Sequence, residues 1–328
     1  IIGKSSNASD ITISNDVNIS GPISIYGEDI TLSNSLTASG TLLLQGSGAT
    51  NQSAAVSATT LSLQGSGTFT LNHTNNHVNT LTAGTATQTT GNISFTNKDA
   101  LSIGEGSNGI KSSGTIQIGT LSGNLTISET ISTTNNTSSA IKLYADQGEA
   151  AGSEGQGNII ISGTPSLTTG SGGRTNLYSG KPSSSTGLLN LVDVSNVRTG
   201  VDSATSSFNP TLSSSGVYAL FRTGPEITFT ESFNSFFRSD NAASQPQSMV
   251  VSATGLTANV LLTPPTGFEL STDGSSFSDS LTLDEVSGSL VNITVYVRVK
   301  SSSSGYPSGT MSVTTTGGTP KGIDVMAA

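Results

Sequence analysis

A seven-residue phrase, Leu-x-Leu-Gln-Gly-Ser-Gly, stands at 42–48 and again at 61–67, 19 residues later. An apolar-x-apolar dyad is a short strand with one buried face, and the glycines that follow mark a turn, so a strand and a turn are restated at a fixed interval. Similar dyads recur as Ile23/Ile25, Leu101/Ile103, Ile141/Leu143 and Ile159/Ile161, and Leu81, Leu121 and Leu177 fill the gaps at steps of about 18 to 20 residues. An internal period of this size marks a solenoid, because one such unit cannot bury its apolar face alone and must stack on the next. The expected role of such a chain is structural or adhesive.

Composition decides what kind of solenoid. Charged residues make up 10% of the 328, Gly numbers 38, and Trp and Cys are absent. Strong helix formers such as Glu, Lys and Arg are therefore scarce, which argues against helical repeats. Disordered chains share the glycine content but lack a regular alternation of Ile, Leu, Val and Thr, so an ordered all-β protein is expected. The net charge of −9 divides into −4 over 1–224 and −5 over 225–328. No basic stripe exists to meet a phosphate backbone, which excludes nucleic acid as an expected partner. No apolar run approaches 18 residues, so no transmembrane segment is expected. The first residues, Ile1-Ile2-Gly3-Lys4, do not read as a signal peptide, and the chain reads as a mature fragment of something longer. Without cysteine there are no disulfides, thiolate chemistry or cysteine zinc sites.

Along the chain, runs of three to five residues alternate apolar and polar and close on Gly, Asn or Asp. The period from Leu61 to Thr80 holds Leu61/Leu63, Phe69/Leu71 and Val78, three short strands in one coil. Stacked coils form a parallel β-helix, in which each backbone group pairs with the coil above or below. With neighbouring strands ~4.8 Å apart, roughly ten coils over 1–220 predict a rod on the order of 50 Å long. The exposed strand edges at its ends need capping or more of the same repeat. The segment 145–157 has no apolar strand residue and reads as a loop leaving the rod. Strands are expected to resume at Asn158-Ile-Ile-Ile-Ser, Thr175-Asn-Leu-Tyr and Leu188-Leu-Asn-Leu-Val, ending in an irregular last coil and cap around Phe208 and Val217-Tyr-Ala-Leu-Phe221.

A boundary is expected at Gly224-Pro225, where the aromatic content changes: four Phe precede it and six follow in a much shorter stretch. In Val291-Asn-Ile-Thr-Val-Tyr-Val-Arg-Val-Lys300, the residues Val291, Ile293, Val295, Val297 and Val299 are expected to form one buried face. Other strands are expected at 227–230, 248–253, 259–263, 268–271, 280–283, 311–315 and 322–326, with turns at Pro264-Pro265-Thr-Gly267, Asp273-Gly274 and Tyr306-Pro-Ser-Gly309. Seven or eight strands in about 100 residues predict an immunoglobulin-like β-sandwich without the cysteine pair and tryptophan of antibody domains.

At these residues the chain resembles the very large repetitive surface adhesins of Gram-negative bacteria. Residues 10–200 resemble the haemagglutinin-type right-handed β-helix of that group in their style of repeat. Residues 225–328 are similar to the immunoglobulin-like repeats of Bacteroidetes surface proteins, through Val251-Ser-Ala-Thr-Gly-Leu-Thr-Ala-Asn, Pro265-Thr-Gly-Phe-Glu-Leu-Ser-Thr-Asp-Gly-Ser-Ser-Phe and Val295-Tyr-Val-Arg-Val. The resemblance implies export across the outer membrane, elongated molecules and roles in attachment or surface gliding, and it brings no catalytic residues.

Candidate chemistry is sparse. Gly104-Glu-Gly-Ser-Asn-Gly109 matches a dinucleotide fingerprint, but that motif must open a helix, whereas strand-like residues follow here, so a coil corner is expected. His73 and His77 have helical ligand spacing, but in a strand four residues span about 13 Å, too far to share an ion. Asp273 and Asp279 offer too few oxygens for calcium and read as a hairpin turn. The cluster Thr85, Thr87, Thr89 and Thr90 occurs once, without the periodic array an ice-binding face needs. Polar groups concentrate only at Lys142, Asp146, Glu149 and Glu154, with Arg174 and Lys181 one or two coils on. Carboxylates and bases on adjacent coils could serve acid–base cleavage of a polysaccharide. A solvated acidic loop is the reading preferred here.

The expectation is thus a non-enzymatic segment of an exported cell-surface protein, a β-helix over 1–224 and an immunoglobulin-like module over 225–328, acting as stalk and adhesin. No catalytic, cofactor or metal site is assigned. The expected partners are glycans or surface receptors and neighbouring repeats. The alternative is a carbohydrate-binding or carbohydrate-cleaving β-helix that uses the 142–181 face.

Overall fold

The computed structural model describes every residue except Thr230, Glu231, Asp240 and Ser287. The chain divides into two units, Ile1–Thr223 and Gly224–Ala328, and strands with three short 3-10 turns make up the regular structure of the described residues. No helix among them is long and apolar enough to cross a membrane.

The first unit is a parallel β-solenoid of about ten turns. One side is a 10-stranded sheet that takes a strand from each coil. Its ladder runs Ile11, Ile30, Thr50, Phe69, Ile93, Ile116, Ile141, Thr175 and Val217, each aligned with the next. From Ile30 to Thr175 these ladder residues are at most 1% exposed. The other two sides belong to an 11-stranded sheet. In the early coils its long strands Leu36–Gly46 and Val56–Gln64 turn a corner midway. One half continues Val17–Ile19 and the other Ile23–Gly27.

The repeated phrase lies in register, with Leu42 on Leu61, Leu44 on Leu63 and Gln45 on Gln64. All four leucines are fully buried. The dyads do not form one column, however. Ile141/Leu143 stand in the 10-stranded sheet, whereas Ile23, Ile103 and Ile161 share one ladder of the 11-stranded sheet, linked through Leu42, Leu61, Leu81 and Ile127. Leu121 is no anchor and lies in the turn after Ile116–Thr120. The step along the first ladder also grows, from 19 and 20 residues (Ile11, Ile30, Thr50) to 25 (Ile116, Ile141), 34 (Thr175) and 42 (Val217). Extra residues enter at corners, where they leave inward positions unchanged.

Corners are where a solenoid risks unpaired backbone groups, and side chains of Asp and Asn close them. Asp16 accepts from the Ser35 backbone N–H at 3.0 Å, Asp29 from Ala49 at 2.6 Å, Asn92 from Thr115 at 2.8 Å, Asn124 from Asn158 at 2.9 Å and Asn158 from Lys181 at 3.0 Å. Each acceptor serves the coil that follows its own. Asn76 and Asn97, both fully buried, act backwards and accept from Val56 and Val78 of the preceding coil at 2.9 Å. Glycine is required where backbones meet: a Cβ on Gly65, whose φ is +87°, would stand 2.1 Å from the Gly46 carbonyl oxygen.

The expected strand at 188–192 is instead a 3-10 turn, Leu188–Leu191, entered through Gly187. Its residues do not alternate as a strand requires: Leu188 is fully buried in the solenoid core, and Leu189 and Val192 pack against it partly buried. The final strand of the first sheet is Val197–Thr199, which pairs with Gly216–Phe221 out of chain order. Between them the chain folds over the outer face of the sheet. There Val201, Leu212 and partly buried Phe208 pack on Tyr144, Tyr178, Tyr218 and Leu220.

Among its described residues, the second unit has two four-stranded antiparallel sheets whose inner residues, among them Val251, Val297, Leu262 and Val313, share one apolar core. The strand expected at 227–230 is described as Glu226–Phe229, and Thr230 lies outside the described residues. In the strand Ser289–Val299, Val295, Val297 and Val299 are fully buried, but Val291 is 73% exposed. A bulge changes the phase: Asn292 has φ 51°, Val251 aligns with Ile293 while Ala253 aligns with Leu290, and Leu290 takes the inward place.

Two predictions follow from this packing. Gly65→Ala should destabilise the first unit by on the order of 3 kcal/mol, through both the φ and the contact with Gly46. Gly163→Ala, with φ 74° and no neighbour within 4 Å, should cost about 1 to 2 kcal/mol. Denaturant titration separates the two. Val295→Asp buries an unpaired charge and should remove the second unit's calorimetric transition, since about 3–5 kcal/mol is a large part of a domain's stability. Val291→Asp should shift it by no more than about 0.5 kcal/mol.

Candidate functional site

The polar concentration after Ile141–Tyr144 begins with a sharp turn at Asp146, a non-glycine residue at φ 63°. Its carboxylate faces inward, 5% exposed as a residue, and accepts the backbone N–H groups of Gln156 at 2.7 Å and Gly157 at 3.2 Å. Those bonds close the loop 145–157 on its own first residues. Gly157 has no room for a side chain there, because a Cβ would lie 2.6 Å from the Asp146 Cβ.

Arg222, just after Gly216–Phe221, enters the same loop from two coils away. Its Nη1 donates to the carbonyls of Ala145 at 2.8 Å and Asp146 at 3.3 Å, and its Nη2 to those of Glu154 at 3.3 Å and Gly157 at 3.0 Å. The guanidinium lies 3.7 Å from the Asp146 carboxylate, and Arg222 is 3% exposed. Burial pulls its pKa below the usual arginine value, while the charges of Asp146, Glu149 and Asp202 oppose that shift. An arginine remains charged under such conditions, so this is a buried ion pair with dense hydrogen bonding.

Asp202 tethers the loop from the covering segment by accepting from Ala151 N–H at 2.9 Å. That bond, followed by the Thr205 hydroxyl and further backbone donors, lowers its pKa. Tyr144 and Tyr178 stack beside it with ring centroids 4.7 Å apart and planes 13° apart. Burial pushes the Tyr144 hydroxyl up to about 12 and raises Tyr178 as well. The cavity left between Tyr144, Glu149, Tyr178, Asp202 and Arg222 is about 10 Å³, room for about one water and not for a sugar ring.

The six expected residues do not converge on a cleft. Lys181 pairs with Glu154 at 3.2 Å on the rim, and Glu149 accepts from the Ser153 hydroxyl at 2.9 Å within the loop. Arg174 donates to the Ser213 carbonyl at 2.8 Å, and half-buried Lys142 aligns with Gln117 and Asn176 on the strands beside it. The reading of a solvated acidic loop is corrected for Asp146, which is a buried structural group. Arg222 and Asp202 were not among the expected residues, and Arg222 carried one signal: a charge directly after five apolar strand positions.

The remaining motifs take structural places. The segment 104–109 is a turn between Leu101–Ile103 and Ile110–Ser112, closed by hydrogen bonds between Glu105 and Asn108. His77 meets Asp99 at 3.0 Å on the surface, while His73 accepts from Asn75 N–H at 3.2 Å. Thr85 opens a turn closed on Gln88, and Thr90 is buried. Asp273 accepts from the backbone of Ser275 and Ser276 at 2.7 Å each, which lowers its pKa. Asp279 pairs with Lys300. The chain matches no protein-family model, no curated protein and no solved structure.

Arg222→Met should leave Asp146 without its countercharge, lower the first unit's stability by about 3–5 kcal/mol and open the loop to proteolysis. Glu149→Ala with Glu154→Ala should change stability by less than about 1 kcal/mol. Alkali supplies a second test. A tyrosine whose folded pKa lies above its unfolded value near 10 contributes stability that is complete below pH 10 and is lost as pH rises towards 12. The first unit should therefore weaken between about pH 10 and 12, with late tyrosinate absorbance that Tyr144→Phe reduces.

Proposed function

We propose that this chain is a non-enzymatic segment of an exported cell-surface protein, a β-solenoid stalk joined to an immunoglobulin-like module, and that it acts in adhesion. The observation that carries the reading is the disposition of the acid–base cluster around Asp146 and Arg222. The Arg222 guanidinium is bonded to four backbone carbonyls, and the Asp146 carboxylate to two backbone N–H groups. Catalysis needs an acid or base free to exchange a proton with a substrate, whereas these groups hold a loop to a scaffold. A stack of coils also supplies long polar faces and grows by one strand spacing per coil, as a stalk requires.

The immunoglobulin-like assignment of the second unit is supported by strand order. Numbered within the unit, its strands run first, second, sixth, fourth in one sheet and fifth, third, seventh, eighth in the other. Such crossing between sheets is the Greek-key habit of immunoglobulin-like folds.

The test has two arms. Beads coated with the whole chain should attach to cells or extracellular matrix, and antibodies to the chain should label intact cells of its source. Incubation with polysaccharides should leave their length unchanged. Shortened products that vanish with Glu149→Gln and Glu154→Gln would overturn the non-enzymatic reading in favour of cleavage at the 142–181 face.

A further inference from the structure

The repeated phrase builds more than a core. Tyr26, Gln45 and Gln64 align on successive coils. Each follows a fully buried inward residue, Ile25, Leu44 and Leu63, so their side chains stand on the outer surface. Beside them Gly27 aligns with Gly46, and Gly65 lies against the Gly46 carbonyl, leaving a floor from which no side chain rises. The segment 5–8 closes one side: Asn7 Nδ2 donates to the Tyr26 carbonyl at 2.9 Å, and Gln45 Nε2 reaches the Ser5 carbonyl at 3.4 Å. The excursion 84–91 brings exposed Gln88 to the other. The result is a groove of about 280 Å³, lined by Ser5, Asn7, Tyr26, Gln45, Ser66 and Gln88 with the glycines between.

Every side chain lining this groove is uncharged. A phosphate, sulfate or uronate would meet no countercharge there. An apolar ligand would strip water from amides and hydroxyls without replacing their hydrogen bonds. Primary amides offer a donor and an acceptor side by side, which suits vicinal hydroxyls, and a tyrosine offers an apolar ring with a polar tip. The volume is near the lower end of ligand pockets, roughly 300 Å³ upwards, and so fits one or two sugar rings.

We propose that this groove binds a neutral glycan through Tyr26, Gln45 and Gln88. The assignment rests on the adhesive reading and names its ligand class and place, away from the 142–181 face. The test is an array of neutral and acidic glycans probed with the whole chain, followed by calorimetric titration of the best neutral ligand. Gln88→Ala, on the exposed excursion, and Gln45→Ala should each weaken binding by about tenfold, with melting unchanged. Tyr26→Ala should abolish binding while Tyr26→Phe retains most of it, and added salt should have little effect. Affinity unchanged in Gln45→Ala and Gln88→Ala, or binding confined to acidic glycans, would overturn the site. Unchanged glycan affinity together with persisting bead attachment in those variants would remove this groove and leave the adhesive reading standing. Loss of both attachment and glycan binding in the unaltered chain would remove both.

Discussion

Parallel coil-to-coil hydrogen bonding is the constraint on which the first unit depends. Each strand is only two to eleven residues long and pairs with chain that left the same side one coil earlier, so its inward residues must repeat in place if not in number. That is why Ile30, Phe69, Ile93, Ile116 and Ile141 can be separated by unequal lengths and still form one buried column. It is also why corners carry the polar work. Asp16, Asp29, Asn92 and Asn124 hand a side-chain acceptor to the next coil, and glycines appear where backbones come too close for a Cβ.

Charge enters this scaffold sparingly and for the same purpose. The loop 145–157 is the longest insertion before the last coils, and its carbonyls would be left unpaired without Arg222, which is bonded across 65 to 77 residues of sequence. Burying that guanidinium is tolerable because four carbonyls and the Asp146 carboxylate surround it. The tyrosine pair and the covering segment with Val201 and Leu212 seal the neighbouring surface. Together these features make the end of the solenoid a packed element in which a polar loop serves structure.

Much of this was legible in residues and some was not. The aligned Leu42 and Leu61 could be read directly, because a 19-residue recurrence with no insertion keeps sequence distance and spatial neighbour equivalent. Beyond Phe69 that equivalence fails: insertions at corners change the count without changing the inward face, so Ile141 and Ile159 looked like one column while lying on two sides. Burial of Asp146 was hidden because its partners lie up to 76 residues away, and polarity alone implies exposure. Val291 read as inward because strict alternation has no means of showing the bulge at Asn292. The groove escaped notice for a related reason, since Tyr26, Gln45 and Gln88 become neighbours only when four coils stack.

Coil register is the property on which the solenoid rests, and the absence of cysteine from the chain makes it directly measurable. Leu43 and Ser62 are aligned, half-buried and on neighbouring strands, at a spacing of ~4.8 Å that a disulfide can span. Oxidation of a chain carrying Leu43→Cys and Ser62→Cys should yield an internal disulfide rapidly and nearly completely, as read by mass spectrometry. The pair Leu43→Cys and Ser57→Cys, whose second residue aligns with Thr37, should not cross-link. Equal cross-linking of both pairs, or none at Leu43 and Ser62, would contradict the stacked-coil account.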